Sequence, residues 1–268
     1  MKITCLADTH VGSLRAVFPD NYIGELGNNI SLARNMGQRQ LAKYFKNFIE
    51  WNKQERPDTV LMLGDLINGT NRNAYGQGQI VADIDEQRKA FIKLILPLVK
   101  IPSVKEVYLT TGSGYHESLD SNVTKAITDD LKGYGVNAIY SGHSVELEDI
   151  SGFSIYAQHE CSNTLYKGTM AEKELIQQLT ANALGRTKQK YDLDIRAHLH
   201  VYEYLEMRNV RFILLPCWQE YTPISGATKS PFRWMPDIGG VILNIEEKEL
   251  TVKKKLYPPI RFKMFNQT

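Results

Sequence analysis

Three short, largely apolar runs, at residues 3–7, 59–63 and, less purely, 106–110, each give way to a polar or Gly-rich segment. Runs of that length read as buried strands. Between them the apolar period becomes helical. Leu32, Met36, Leu41, Tyr44, Phe45, Phe48 and Ile49 predict a helix over 31–52, and 83–99 reads as a second helix stopped near Pro97 to Pro102. Helices are also expected at 122–131 and 169–184. Strands are expected at 137–140, 154–157, 192–197, 202–207, 210–215, 239–246 and, rich in lysine, 249–255. Residues 11–30 and 68–80 carry glycines at loop spacing. Strands alternate with helices at first and dominate the last third. That order predicts an α/β protein: a mixed or parallel sheet flanked by helices, with the C-terminal strands completing the same core. No Pro/Ser-rich linker divides the chain, so 1–268 reads as a single domain.

Composition narrows the function classes. With 43% hydrophobic and 23% charged residues, the 268-residue chain is neither disordered nor collagenous nor a coiled coil. Thirty-two basic against thirty acidic residues give a net charge of +2, which does not point to nucleic acid and leaves room for a local basic patch. Three cysteines without a CxxC spacing suit a reducing compartment. The N-terminus lacks the apolar core of a signal peptide, and no uncharged stretch is long enough to span a bilayer. A soluble, cytoplasmic protein without membrane partners is expected.

The six histidines change the picture. His10, His116, His159, His198 and His200 each fall where an apolar strand ends, and only His143 sits in an ordinary turn, Ser-Gly-His-Ser. Asp8 and Asp65 also stand at strand ends. In α/β sheets, ligands bind in the crevice beyond the carboxyl ends of the strands. Asp8 and His10 are two residues apart, as are His198 and His200, and in extended chain such residues share a face. Mixed carboxylate and imidazole donors suit Mn²⁺, Fe²⁺, Co²⁺ or Zn²⁺ better than Ca²⁺. Two Asp and at least three His exceed what one open catalytic ion needs, so a two-ion site is the economical reading.

In order, Asp8-Thr9-His10, Gly64-Asp65, Gly112 with His116-Glu117, His159, and His198-Leu199-His200 resemble the motifs of the calcineurin-like metallophosphoesterase superfamily, over residues 8–200. The run Arg196 to His200, followed by Leu215-Pro216-Cys217-Trp218-Gln219, is similar to a phage and prophage branch. The resemblance implies a four-layer α-β-β-α sandwich of two mixed sheets flanked by helices. It implies that Asp8, His10 and His200 hold one divalent ion, that Asp65 bridges, and that His159 and His198 hold the second. Manganese is the expected metal, with Fe, Zn or Ni as alternatives. His116 would contact a phosphoryl oxygen or protonate the leaving group, Glu117 would orient that imidazole, and Arg196 would meet a phosphate oxygen.

The implied reaction is attack of a bridging hydroxide on a phosphate ester, with no covalent phospho-enzyme. The substrate is expected to be a phosphodiester, nucleic acid or nucleotide included. Phosphomonoesterase activity and a non-catalytic scaffold of the same fold are the alternatives. Two departures stand out. Tyr115 replaces the family's Asn before His116, so Ser113 or His116 itself would complete the second ion, and Ala197 replaces a Gly. Ser113, Tyr115 and Trp218 are the substrate-contact candidates, with loop packing the other reading for Tyr115 and core burial for Trp218 and Tyr221. Cys161 reads as a free structural thiol. Lys253 to Lys255 read as a solvated sheet face, or with Arg72, Arg186, Lys188 and Lys190 as part of a nucleic-acid track.

Overall fold

In the computed structural model, residues 1–71, 76–117, 123–150, 152–161, 169–186, 191–208, 210–220 and 235–260 are described. They form two sheets rather than the single sheet that periodicity suggested. The first sheet contains β1 (Lys2–Ala7), β2 (Thr59–Leu63), β3 (Glu106–Thr110), β4 (Ala138–Tyr140), β10 (Ile238–Glu246) and β11 (Glu249–Tyr257), in the order β11-β10-β1-β2-β3-β4. The second contains β5 (Ser144–Ile150), β6 (Phe153–Gln158), β7 (Leu193–Arg196), β8 (Glu203–Met207) and β9 (Val210–Leu214), in the order β5-β6-β7-β9-β8. Both are mixed. β1 to β4 run parallel, with β10 antiparallel to β1, while β6, β7 and β9 run parallel between antiparallel neighbours.

Side-chain alternation makes the layers. Ile3, Cys5, Ala7, Leu61 and Leu63 of the first sheet meet Val145, Ile155, Ala157, Leu193 and Ile195 of the second in one buried cluster. The opposite face of the first sheet, with Leu6, Val60, Met62, Val107 and Leu109, packs on Leu41, Phe45, Phe91, Ile95 and Ile127 of three helices. These are α1 (Met36–Glu55), α2 (Ile84–Val99) and α3 (Val123–Gly133). The outer face of the second sheet offers Phe212 and Leu214 to Ala171 and Leu175 of α4 (Met170–Ala183). The result is the α-β-β-α sandwich, with both strand faces apolar where two layers must be covered.

Two elements differ from the periodicity reading. α1 begins at Met36 rather than 31, because Asn35 and Gln38 form a reciprocal capping box. Residues Ile30–Ala33 make a separate 3-10 turn. α2 agrees with the reading of 83–99 and carries Pro97 in its last turn, where a proline removes only one terminal hydrogen bond. β5 was not anticipated, although Val145 and Leu147 are buried and Glu146 and Glu148 exposed in the alternation of a half-solvated strand.

Trp218 corrects an expected substrate contact. Its ring is fully buried beneath α1, edge-on to Phe45 at 4.7 Å and Phe48 at 5.2 Å between centroids. Its backbone, not its ring, reaches toward the chemistry, because the Trp218 N–H donates to the Asp8 carbonyl at 3.0 Å. Tyr221 lies outside the described residues. Trp218→Ala should therefore cost about 3–5 kcal/mol of folding stability, the usual range for deleting a large core aromatic. A urea midpoint unchanged by that substitution would contradict the core placement.

Candidate metal centre

The carboxyl ends of β1, β2, β3, β6 and β7 lie along one edge of the sandwich. The seven candidate donors follow those ends: Asp8 and His10 after β1, Asp65 after β2, His116 after β3, His159 after β6, and His198 and His200 after β7. The alternation argument for the two spaced pairs does not hold. Asp8, His10, Asp65, His198 and His200 stand past the strands with φ of +51°, +41°, +48°, +75° and +60°. Left-handed backbone at non-glycine residues costs on the order of 1–3 kcal/mol each and collects at functional sites. Here it is held by long-range bonds: His10 N–H to the Asp65 carbonyl at 3.0 Å, Asp8 N–H to the Gly64 carbonyl at 3.2 Å, and Asp237 N–H to the His200 carbonyl at 2.9 Å.

Close approach is built into two glycines. A Cβ on Gly64, itself at φ +64°, would lie 2.4 Å from Gly112 Cα and 2.8 Å from His159 Cγ. A Cβ on Gly112 would lie 2.2 Å from the Asp65 nitrogen. Side chains at either position would push the β2 and β3 loops apart.

Three donor sets result, each with its nitrogen and oxygen atoms within 4.8 Å of one another: Asp8, His10 and His200; His10, Asp65 and His116; Asp65, His159 and His198. Asp65 belongs to two of them. Its Oδ2 is 3.1 Å from His159 Nε2 and 3.9 Å from His116 Nε2. Asp8 Oδ1 is buried without a hydrogen bond of good geometry and faces His200 Nε2 at 3.2 Å and His10 Nε2 at 3.5 Å. A buried carboxylate oxygen in that position is what a cation would satisfy. Two carboxylates with neutral imidazoles form a donor set suited to borderline divalent ions, so the residues fit the group the motifs imply.

The electrostatics run the same way. Burial works against charge on Asp65, yet His159, His116 and His10 outweigh it and hold the carboxyl well below the usual range. Asp8 behaves likewise, with burial outweighed by His200 and His159. Burial opposes a charged His159 too, but the Asp65 and Asp8 carboxylates raise its pKa to about 9. Burial, aided by His116, lowers His10 to about 4, so that ring is a neutral donor across the physiological range. His159 Nδ1 pairs with the Leu63 carbonyl at 2.8 Å, which turns Nε2 toward Asp65 and fixes the tautomer a ligand needs.

The surrounding groups take roles that differ from expectation. His116 is oriented by the Asn68 carbonyl, 2.8 Å from Nδ1, and not by Glu117. Glu117 instead accepts from the Gly112 N–H at 3.1 Å and from the hydroxyl and N–H of Thr124, tying the β3 loop to the start of α3. Arg196 faces away from the donors. It forks onto Asp194 at 2.7 and 3.0 Å and stacks over Tyr156 at 5.2 Å, so its guanidinium is engaged on the α4 side of the sheet. That follows from alternation: Leu193 and Ile195 point between the sheets, and Asp194 and Arg196 therefore point outward.

Ser113 lies at Asp65. Its N–H donates to Oδ1 at 2.7 Å, and its hydroxyl sits 3.1 Å from both carboxylate oxygens. The Tyr115 hydroxyl donates to Asn71 Oδ1 at 2.7 Å, and its ring stands edge-on to His116 at 4.7 Å. Cys161 is a free thiol 3.4 Å from the Ala197 carbonyl. Lys253 is paired with Glu55 and Lys254 stacks on Tyr202, as a solvated sheet face would. Arg186 is exposed, while Arg72, Lys188 and Lys190 lie outside the described residues. Sequence reasoning missed Asn68, which acts through its backbone, and Cys217, a buried thiol within hydrogen-bonding reach of His200. Neither position carries a sequence signal for that role.

Among the described residues no helix is long and apolar enough to cross a membrane. Residues 1–113, which include Asp8, His10 and Asp65, match the family model described as calcineurin-like phosphoesterase. No curated protein matches the chain. Among solved structures, an archaeal phosphodiesterase aligns with 14% identity over 95% of this chain and 100% of its own, at a TM-score of 0.47. A dimetal phosphatase from Danio rerio aligns with 12% identity over 95% of each chain, at 0.49. Zinc-bound Vps29 from Entamoeba histolytica aligns with 14% identity over 96% of this chain and 98% of its own, at 0.43.

The raised His159 pKa sets a pH dependence. In protein prepared without metal, the stability contributed by protonated His159 is complete below the unfolded histidine value of about 6.5 and is lost as pH rises to about 9. A divalent ion must displace that proton, so affinity should climb through the same window. Calorimetric Mn²⁺ titrations at several pH values should show tighter binding and fewer protons released as pH rises toward 9. Affinity independent of pH would contradict His159 as a ligand.

Proposed function

We propose, on the premise that residues 1–113 are of the calcineurin-like phosphoesterase family, that the chain is a dinuclear-metal-dependent phosphoric ester hydrolase acting on phosphodiesters. The observation that carries this is the sharing of Asp65 between the set containing His10 and His116 and the set containing His159 and His198. One carboxylate common to two donor sets supports a pair of ions rather than one. Asp8, His10 and His200 would hold the first ion, Asp65 would bridge, and His159 with His198 would hold the second. The mixed oxygen and nitrogen donors favour Mn²⁺, with Fe, Zn or Ni as alternatives. Bound there, the ions supply Lewis acidity, which lowers the pKa of water and offsets phosphate charge.

The protein's own groups hold that arrangement. The Ser113 N–H fixes Asp65 Oδ1, leaving Oδ2 toward His159. Its hydroxyl is placed to assist where the family's Asn is absent. The Asn68 carbonyl keeps the proton of His116 on Nδ1, so Nε2 faces the donors and the substrate. From there His116, when it carries a second proton on Nε2, would donate to a phosphoryl oxygen or pass that proton to the leaving oxygen.

The substrate preference follows from Arg196. With that guanidinium spent on Asp194, the site lacks the fork expected to neutralise a phosphate. A diester carries one negative charge where a monoester carries up to two, and needs less compensation. Tyr115, half-buried beside His116, offers a ring edge to a nucleotide, and nucleic acid is the substrate class to test first. The run from Arg196 to His200 supports a place in the phage and prophage branch.

Hydrolysis of bis-p-nitrophenyl phosphate with Mn²⁺ should exceed that of p-nitrophenyl phosphate. Asp65→Asn should reduce it by at least about a thousandfold and lower the bound-metal content, because the shared oxygen donor loses its charge. Full turnover in a folded Asp65→Asn protein would overturn the assignment. Arg196→Ala should instead lower thermal stability and leave the bound-metal content unchanged.

A further inference from the structure

The sixth histidine stands at the same edge as the other five. His143 lies in the turn by which the chain leaves β4 in the first sheet and enters β5 in the second. β4 runs parallel to β3, so its end reaches the donor edge of the sandwich. β5 runs antiparallel to β6, so its beginning lies where β6 ends and His159 begins. The crossover therefore takes place at the mouth of the candidate metal centre.

Hydrogen bonds fix the turn there. The Thr111 N–H donates to the Gly142 carbonyl at 2.7 Å, the Ser141 N–H donates to the Leu109 carbonyl at 2.9 Å, and the Thr111 and Tyr140 hydroxyls are 2.8 Å apart. Thr111 precedes Gly112, the glycine pressed against Asp65. The register points the same way. Ser144 pairs with Gln158 and Val145 with Ala157, so one further step sets His143 opposite His159. Val145 and Leu147 face the space between the sheets, as Ala157 and Ile155 do. Between the sheets this side is the buried core. One residue before β5, in the turn, His143 is exposed.

We propose that His143 is a substrate-binding imidazole at the rim of the centre, on the His159 side, donating an N–H to a phosphate-ester oxygen that lies outside the donor sets. This rests on the phosphoesterase reading and deepens it. The residue supplies from the rim part of the phosphate recognition that Arg196, turned outward, does not supply. An exposed residue in a turn held by backbone bonds can be changed without disturbing the core, so the variant is expected to fold.

The test compares full-length wild type, His143→Ala and His143→Gln, each loaded with Mn²⁺ and checked for metal content. One arm measures turnover of bis-p-nitrophenyl phosphate, the other calorimetric binding of inorganic phosphate. His143→Ala should raise KM and weaken phosphate binding by about tenfold, the loss expected for one hydrogen bond to a charged group, with metal content unchanged. His143→Gln, which keeps an N–H donor, should recover part of both. If wild type turns over the diester and His143→Ala stays within about twofold of it in KM and phosphate affinity, the inference fails alone. If wild type shows no metal-dependent turnover of any ester yet phosphate binding weakens in His143→Ala, the hydrolase reading fails and the rim site stands. If both arms are silent in wild type, both are overturned.

Discussion

Two carboxylates, Asp8 and Asp65, are buried among imidazoles, and the architecture at that edge answers to the charge they carry. A carboxylate out of water is costly unless paired. Here the pairing is by rings that can be neutral ligands or proton-bearing partners, depending on whether a cation is present. His159, raised to about 9, and His10, lowered to about 4, show how unevenly that buried charge is shared. A divalent ion entering such a cluster would have to displace protons from its imidazoles.

Holding it together requires backbone that strands alone cannot supply. Five donor residues take left-handed conformations, and each is tied down by a distant segment. Gly64 and Gly112 allow the β2 and β3 loops to touch, which brings Asp65, Ser113 and His159 to one place. His159 reaches from the second sheet to the Leu63 carbonyl of the first. The spacing of the donors is therefore set by the packing between two sheets, and the apolar layer of Ile3, Leu61, Ile155 and Ile195 is part of what positions the chemistry.

Charged neighbours of the donors serve the scaffold. Glu117 joins the β3 loop to α3, and Arg196 is clamped to Asp194 beneath α4. Both stand next to or near a donor in sequence and face elsewhere in space. The outward turn of Arg196 leaves the ligand edge dominated by imidazoles, and His143 joins that edge only because the chain changes sheets there.

Strand-end positions of Asp8, His10, Asp65, His116, His159, His198 and His200 were legible in the sequence, because apolar runs that stop abruptly mark where buried strands meet solvent. So were the class of the fold and most of its elements. Direction and distance were not. Whether Trp218 fills the core or a pocket, whether Glu117 or the Asn68 carbonyl orients His116, and which way Arg196 points depend on which face each residue turns to its neighbours. So does the place of His143 in the crossover between the two sheets. Local pattern determines which residues leave a strand together, whereas only long-range packing decides what those residues then meet.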